Sequence, residues 1–456
     1  MPENSATVDA LVAATPATRD RYVDALRVLA LAGVIMGHYL MAVVIWAPGE
    51  PVGFTNILAV EPWTRVLTLV LQVMPIFFVV GGFSHAVAWR SLARRDGGYA
   101  DFVAARVGRL IRPALIYVAL WMVLGLIIGL AWDQAGPILQ ILGQLLWFIG
   151  IYLLAAAFAP ALLRAHDRWG WKALAALIVA AALVDFLRIS GTADGVKWLN
   201  FAFVWLAIHQ LGFFYADGVH ERIGRKRLGA ALLVTGAAAL VVLVTLGPYG
   251  ISMVSYEGEE LSNLAPPTTA LLAFGVAQAG VALLASEWAT RRLARPRAWK
   301  AVIVAGSMAM TAFLWHFTAL VAVHGVWWWL GPDTSPEGGS AAWWWSKLYL
   351  LIPYLALVGA LVLVFRRFER FPSLAIAGPT LWRTLVAALG VACGIVGMIG
   401  FAAVGFRGIA DFYTVTVVGV PLSSVTACVL VFASALLTAI AVRVPKAVAS
   451  RASVAP

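Results

Sequence analysis

Twelve apolar stretches, each of about 18 to 27 residues, dominate this chain and leave it few ways to fold. They lie near 25–47, 63–89, 113–132, 138–163, 171–188, 198–217, 228–247, 268–288, 302–327, 346–365, 381–405 and 419–442. At about 1.5 Å of rise per residue, a helix of that length crosses a hydrocarbon layer of roughly 30 Å. In lipid the backbone must satisfy its own hydrogen bonds, so the expected fold is all-α, a polytopic transmembrane helical bundle. Only 12% of the side chains are charged against 62% hydrophobic, which excludes an ordinary soluble domain with about twice that charged share. Cys393 and Cys428 are the only cysteines and both sit in apolar runs without CxxC or Cys/His spacing. They read as packing residues, and no metal site is expected.

The formal net charge of +11 would point to nucleic acid in a soluble protein, but here its distribution carries the information. With twelve spans, 28 of the 33 basic residues fall on one side and only Arg65, Arg188, Lys197, Lys347 and Arg407 on the other. The positive-inside rule then places both termini in the cytoplasm. Residues 1–19 lack a signal-peptide core and read as a flexible tail, and residues 443–456 as a cytoplasmic tail. On the far side, Trp343, Trp344 and Trp345 suggest an interfacial aromatic belt. No loop is long enough for a soluble domain, so chemistry must occur within the bundle or at its faces.

Several residues do not suit lipid. In "RVLALAGVIMGHYL", Arg27 and His38 are eleven positions apart, three helical turns plus about 20°, and so share one face about 16 Å apart along the axis. Asp24 lies one turn before Arg27 and is expected to pair with it. Arg27 reads either as a snorkelling anchor or as part of a site. A neutral imidazole in apolar surroundings is suited to take a proton from a hydroxyl, which makes His38 a candidate base; an interhelical packing bond is its bland alternative. His316, in "MTAFLWHFTAL", lies at a similar depth in a span of the same direction. The two histidines would line one cavity if their helices are neighbours, whereas a bond to Thr311 or a backbone carbonyl would make His316 merely structural.

Arg106, Arg109 and Arg112 recur every three residues before Pro113 and are read as one helical face. Such a cluster serves equally as a topology determinant or as a clamp for a phosphorylated ligand. Ser84 and His85 near the end of the second span are weaker candidates. Asp185 with Arg188 reads as a local i, i+3 pair, and His209 with Gln210 as packing. His166, His220 and His324 fall in loops or at span ends where nothing supports a site. No GxSxG, Walker, HExxH or GxGxxG motif appears in a plausible context.

Taken in order, several of these segments resemble acyltransferase family 3, the integral membrane acyltransferases that modify sugars, lipopolysaccharide, peptidoglycan and macrolides. "RYVDALRVLALAGVIMGHYL" is similar to the family's first-span signature, with Arg27 and His38 at the matching positions. "MPIFFVVGGFSHAV" resembles "PLFFFLSGFL", with Gly81 in place of serine. "RVGRLIRPALIY" is similar to the R-x-x-R segment, "LLWFIGIYLL" to "LWFL", and "MTAFLWHF" to "SYSLYLWHF". "FRRFERFPS" resembles the closing R-x-x-E-[KR]-P, with Phe371 inserted before Pro372.

The resemblance implies a ten-span acyltransferase domain over 20–372, followed by two additional transmembrane helices within 373–442. It further implies cytoplasmic acyl-CoA, with acetyl-CoA as the expected donor, held by Arg106 and Arg109, with Arg112 as an alternative register and Arg27 along the route. His38 would act as general base, and Trp147 and His316 would shape or polarise the site. The expected activity is O-acylation of a sugar, glycolipid or secondary metabolite at the plasma membrane, with the lipid bilayer as the further partner and no nucleic acid. A twelve-span secondary transporter and a non-catalytic scaffold are the alternatives. Against the transporter, residues 20–220 and 230–440 show no repeat.

Overall fold

The computed structural model describes residues 12, 15, 16, 19–45, 53–330, 336–369 and 376–443. Nearly all of the two expected tails, and the boundary expected at 372 with Phe371 and Pro372, lie outside the described residues. In chain order the main elements are α1 (Arg21–Met41), β1 (Ala42–Ile45), β2 (Gly53–Asn56), α2 (Met74–Ala93), α3 (Tyr99–Ala131), α4 (Gly136–Gln144), α5 (Leu146–Trp169), α6 (Trp171–Ile189) and α7 (Asn200–Ala216). They continue with α8 (Arg225–Leu246), α9 (Thr269–Leu293), α10 (Pro296–Gly306), α11 (Ala309–Leu330), α12 (Ala341–Phe365), α13 (Leu381–Val404), β3 (Thr414–Val417), β4 (Val420–Ser423) and α14 (Ser424–Ala441).

The molecule is a helical bundle with two antiparallel hairpins, β1–β2 and β3–β4. Among the described residues, eleven helical segments are long and apolar enough to cross a membrane. The remaining expected stretch, 171–188, does form a helix, α6, but Lys172, Asp185 and Arg188 interrupt its apolar surface.

Other expected spans differ in their ends. The first was read to residue 47, yet α1 stops at Met41 and the β-branched Val43, Val44 and Ile45 pair with β2. The second was read as continuous over 63–89. Instead a 3₁₀ turn, Pro62–Leu67, and one helical turn, Thr68–Leu71, precede a break before α2. Buried Gln72 repairs that break: its amide donates to Met253 O at 3.0 Å, its side-chain oxygen accepts from Met74 N at 3.1 Å, and its carbonyl accepts from Gln278 at 2.7 Å. Irregular backbone at this depth survives only when protein groups take up its hydrogen bonds.

The chain divides into two compact units. The first comprises residues up to Ser84 and Leu162–Val364. Asp20 caps its α1, accepting from Tyr22 N at 3.0 Å and Val23 N at 3.1 Å. Here α2 and α7 meet backbone to backbone: a Cβ on Gly82 would lie 1.8 Å from His209 O, and one on Gly212 would lie 2.1 Å from Val79 O. Only glycine permits that approach, and it fixes where Ser84 sits two residues later.

The second unit comprises His85–Ala161 and the chain from Phe365 onward. Asp101, buried near the start of α3, accepts from Gly98 N at 2.9 Å, Ala377 N at 2.7 Å and Gly378 N at 3.2 Å. The turn after α13 is held by Phe406 N donating to Leu139 O at 2.8 Å. Ser424 Oγ donates to Gly405 O at 3.0 Å and Arg407 O at 2.8 Å. The last two long helices are thus part of the same packed unit as α3 and α4.

Candidate active site

In the first unit, His38 of α1 and His316 of α11 are hydrogen-bonded, with Nδ1 of His38 3.0 Å from Nε2 of His316. The rings are 5.2 Å apart and nearly parallel at 14°. Phe317 packs its edge against His38 at 4.7 Å and lies 4.8 Å from His316. His316 is fully buried, whereas His38 is half-buried.

The partners assign the tautomers. Nδ1 of His316 lies 2.5 Å from Phe313 O. A carbonyl only accepts, so that nitrogen carries the proton and Nε2 of neutral His316 is a lone pair. The hydrogen of the 3.0 Å contact must then belong to Nδ1 of His38. Nε2 of His38 is left with a lone pair. The contacts run from the Phe313 carbonyl through His316 to His38, which orients the His38 ring. His316 therefore bonds a backbone carbonyl and also meets His38.

Arg27 lies three turns below His38 on α1. One terminal nitrogen donates to Ser84 Oγ at 2.6 Å and the other is 3.3 Å from Asp24, the expected i, i+3 partner. Asp24 is shared with Arg19 at 2.7 Å. Arg27 and Ser84 form one polar cluster; Ser84 Oγ in turn donates to Val80 O at 2.8 Å.

His85, Arg106, Arg109, Arg112 and Trp147 belong to the second unit. His85 is buried between Phe102 at 5.7 Å and Tyr152 at 5.3 Å. Arg106 is half-buried with its guanidinium 5.4 Å from the Phe102 ring centre, so the two flank one aromatic side chain. Arg109 and Arg112 are exposed. The three arginines do not form one line: three residues advance a helix by about 300°, so each step falls back about 60° and the set fans over about 120°. Trp147 is half-buried beside Phe148 at 6.3 Å. Among the described residues no three His, Cys, Asp or Glu side chains gather to hold a metal ion.

The remaining polar groups serve the scaffold. Asp185 does not turn to Arg188; it accepts from Asn200 at 2.8 Å, Tyr249 at 3.0 Å, Thr269 N at 2.7 Å and Thr269 Oγ1 at 2.8 Å. It therefore caps α9, a donor-rich helix start that suits a carboxylate better than an arginine three residues away. Burial pushes the Tyr249 hydroxyl up to about 12, which keeps it a neutral donor. His166 bridges Asp217 at 2.9 Å and Gln210 at 3.1 Å. His324 bonds Leu320 O at 2.9 Å. Of the three tryptophans of the expected belt, Trp343 is buried and Trp345 is exposed. Sequence reasoning allowed His316 a backbone carbonyl without naming Phe313 and missed Phe317, although an aromatic residue next to His316 was legible.

Fold and site together define a multi-pass membrane protein with a buried imidazole pair. Residues 20–367 match the sequence profile of acyltransferase family 3, described as an acyltransferase domain, and the chain belongs to that family. α13, the second hairpin and α14 lie beyond the matched region. No curated protein and no solved structure matches the chain.

Proposed function

We propose that the protein is a plasma-membrane O-acyltransferase with both termini cytoplasmic. It moves an acyl group, with acetyl as the expected one, from cytoplasmic acyl-CoA to a hydroxyl of a sugar, glycolipid or secondary metabolite. The observation that carries this reading is the His38–His316 contact at 3.0 Å, backed by Phe313 O at 2.5 Å. Nε2 of His38 accepts the hydroxyl proton as the hydroxyl oxygen attacks the thioester carbonyl. The carbon–sulfur bond breaks, and the proton held on His38 passes to the departing sulfur, giving the ester and a free thiol. General-base assistance of this kind contributes roughly 10²- to 10⁴-fold.

Arg106, Arg109 and Arg112 of the second unit are proposed as the cations that take the donor's phosphates, and Arg27 is proposed separately as a cation of the donor's route within the first unit. Exposed guanidiniums without an ion pair among the described residues, as at Arg109 and Arg112, fit phosphate oxygens in a bidentate manner. Ser84, His85 and Trp147 are proposed to shape the substrate's surroundings. Replacing Arg109 and Arg112 by alanine is expected to raise the KM for the CoA donor by about tenfold per lost guanidinium, with kcat little changed. Initial rates against donor concentration measure this, and an unchanged KM would leave both arginines as topology anchors.

The reading as a whole is tested by mass spectrometry of envelope glycans, lipids and secreted metabolites from cells with and without the protein. One species is expected to shift by a single acyl unit. Unchanged acylation together with altered uptake of a solute would replace the enzyme with a carrier.

A further inference from the structure

Lys347 is a buried cation of the first unit that the proposed chemistry does not use. It is 3% exposed in an otherwise apolar part of α12, where an uncompensated ammonium is strongly disfavoured. Among the described residues no carboxylate pairs with it. Its Nζ donates to Ala42 O at 2.7 Å and lies 4.5 Å from the Trp343 ring and 5.3 Å from the Tyr39 ring. Ala42 is the residue at which α1 ends, and its N–H bonds His38 O. A helix C-terminus presents unsatisfied carbonyls and partial negative charge, so the ammonium finds its compensation at the end of α1 and from two aromatic faces.

Two more bonds join α12 to the same turns. Tyr39 Oη donates to Lys347 O at 2.5 Å, and Tyr354 Oη donates to Ile35 O at 3.3 Å. The Tyr39 and Tyr354 rings stack at 4.6 Å. Ile35, Tyr39 and Ala42 bracket His38 on both sides along the helix. The chain leaves for β1 at Ala42, which pairs with Asn56 of β2.

We infer that Lys347 is a positioning residue: by gripping the last carbonyl of α1, it sets the height and rotation at which His38 Nδ1 meets His316 Nε2. This inference rests on the acyl-transfer reading above. A displacement of about 1 Å breaks a hydrogen bond of this kind and with it the alignment of the base.

The test uses the full-length protein in membranes, with acyl transfer measured for Lys347→Met, Lys347→Arg and the same changes on a His316→Phe background. Lys347→Met keeps side-chain length and removes charge and donors. It is expected to lower kcat by about tenfold or more while leaving the donor KM unchanged, and Lys347→Arg to restore part of the loss. On the His316→Phe background, where the contact to be aligned is gone, Lys347→Met is expected to cost little more. Wild-type kcat in Lys347→Met, or losses that multiply with those of His316→Phe, would overturn the inference. If Lys347→Met does not accumulate, Tyr354→Phe removes only the hydroxyl that binds Ile35 O; a fall in kcat supports the grip and an unchanged kcat overturns it. No acyl transfer by the wild-type protein would remove the acyl-transfer reading itself, and full activity in His38→Ala would remove the base role of His38; both are distinguishable from an active Lys347→Met beside an inactive His38→Ala.

Discussion

Replacing His38 by alanine is expected to lower acyl transfer by roughly 10²- to 10⁴-fold while the protein still accumulates in the membrane. The size of the effect follows from the proton arrangement. In the neutral pair, Nδ1 of His316 is committed to Phe313 O and its Nε2 to His38. Nε2 of His38 is therefore the one lone pair of the intact pair left to take a hydroxyl proton. Accumulation in the membrane is measured beside activity, because the ring also packs on His316 and Phe317. The measurement is the rate of ester formation, or of free thiol release, against wild-type protein at matched abundance. Full activity in this variant would sink the general-base role.

The site was partly legible because its parts obey local rules. Helical phase alone puts Arg27 and His38 on one face, and the structure keeps both in the unbroken helix α1. The i, i+3 spacing of Asp24 and Arg27 likewise predicts their contact. Depth counted from apolar boundaries paired His38 with His316, and their helices prove to be neighbours within the first unit.

What escaped the sequence depends on groups far away in the chain. α1 ends at Met41, before the β-branched Val43, Val44 and Ile45, and Lys347, 305 positions after Ala42, meets the carbonyl of Ala42; no window around residue 42 shows that second contact. The second span breaks at Gln72 because Met253 and Gln278 supply its partners. An apolar run shows that a stretch will enter lipid, not whether distant side chains let its backbone deviate there. Asp185 was assigned to Arg188 by spacing, but the amide at the start of α9 and two hydroxyls offered a denser set of donors. Spacing ranks partners on one helix and is silent about those on another.

His316 separates a proton relay from simple packing, because two substitutions pull in opposite directions. Phenylalanine fills the ring's volume among Phe313 and Phe317 but offers no acceptor to His38. Glutamine is a poorer match in shape, yet its side-chain carbonyl can accept the Nδ1–H of His38 and hold the productive tautomer. If His316 acts by fixing that tautomer, His316→Phe is expected to lose on the order of 10²- to 10⁴-fold in kcat, and His316→Gln to retain clearly more. Were His316 present only to fill space, the order would reverse, with phenylalanine tolerated and glutamine damaging through its unmatched amide. The donor KM should stay near wild type in both, since neither change touches a cation proposed for the phosphates. The ranking of the two kcat values therefore decides whether the 3.0 Å contact is part of the chemistry or part of the packing.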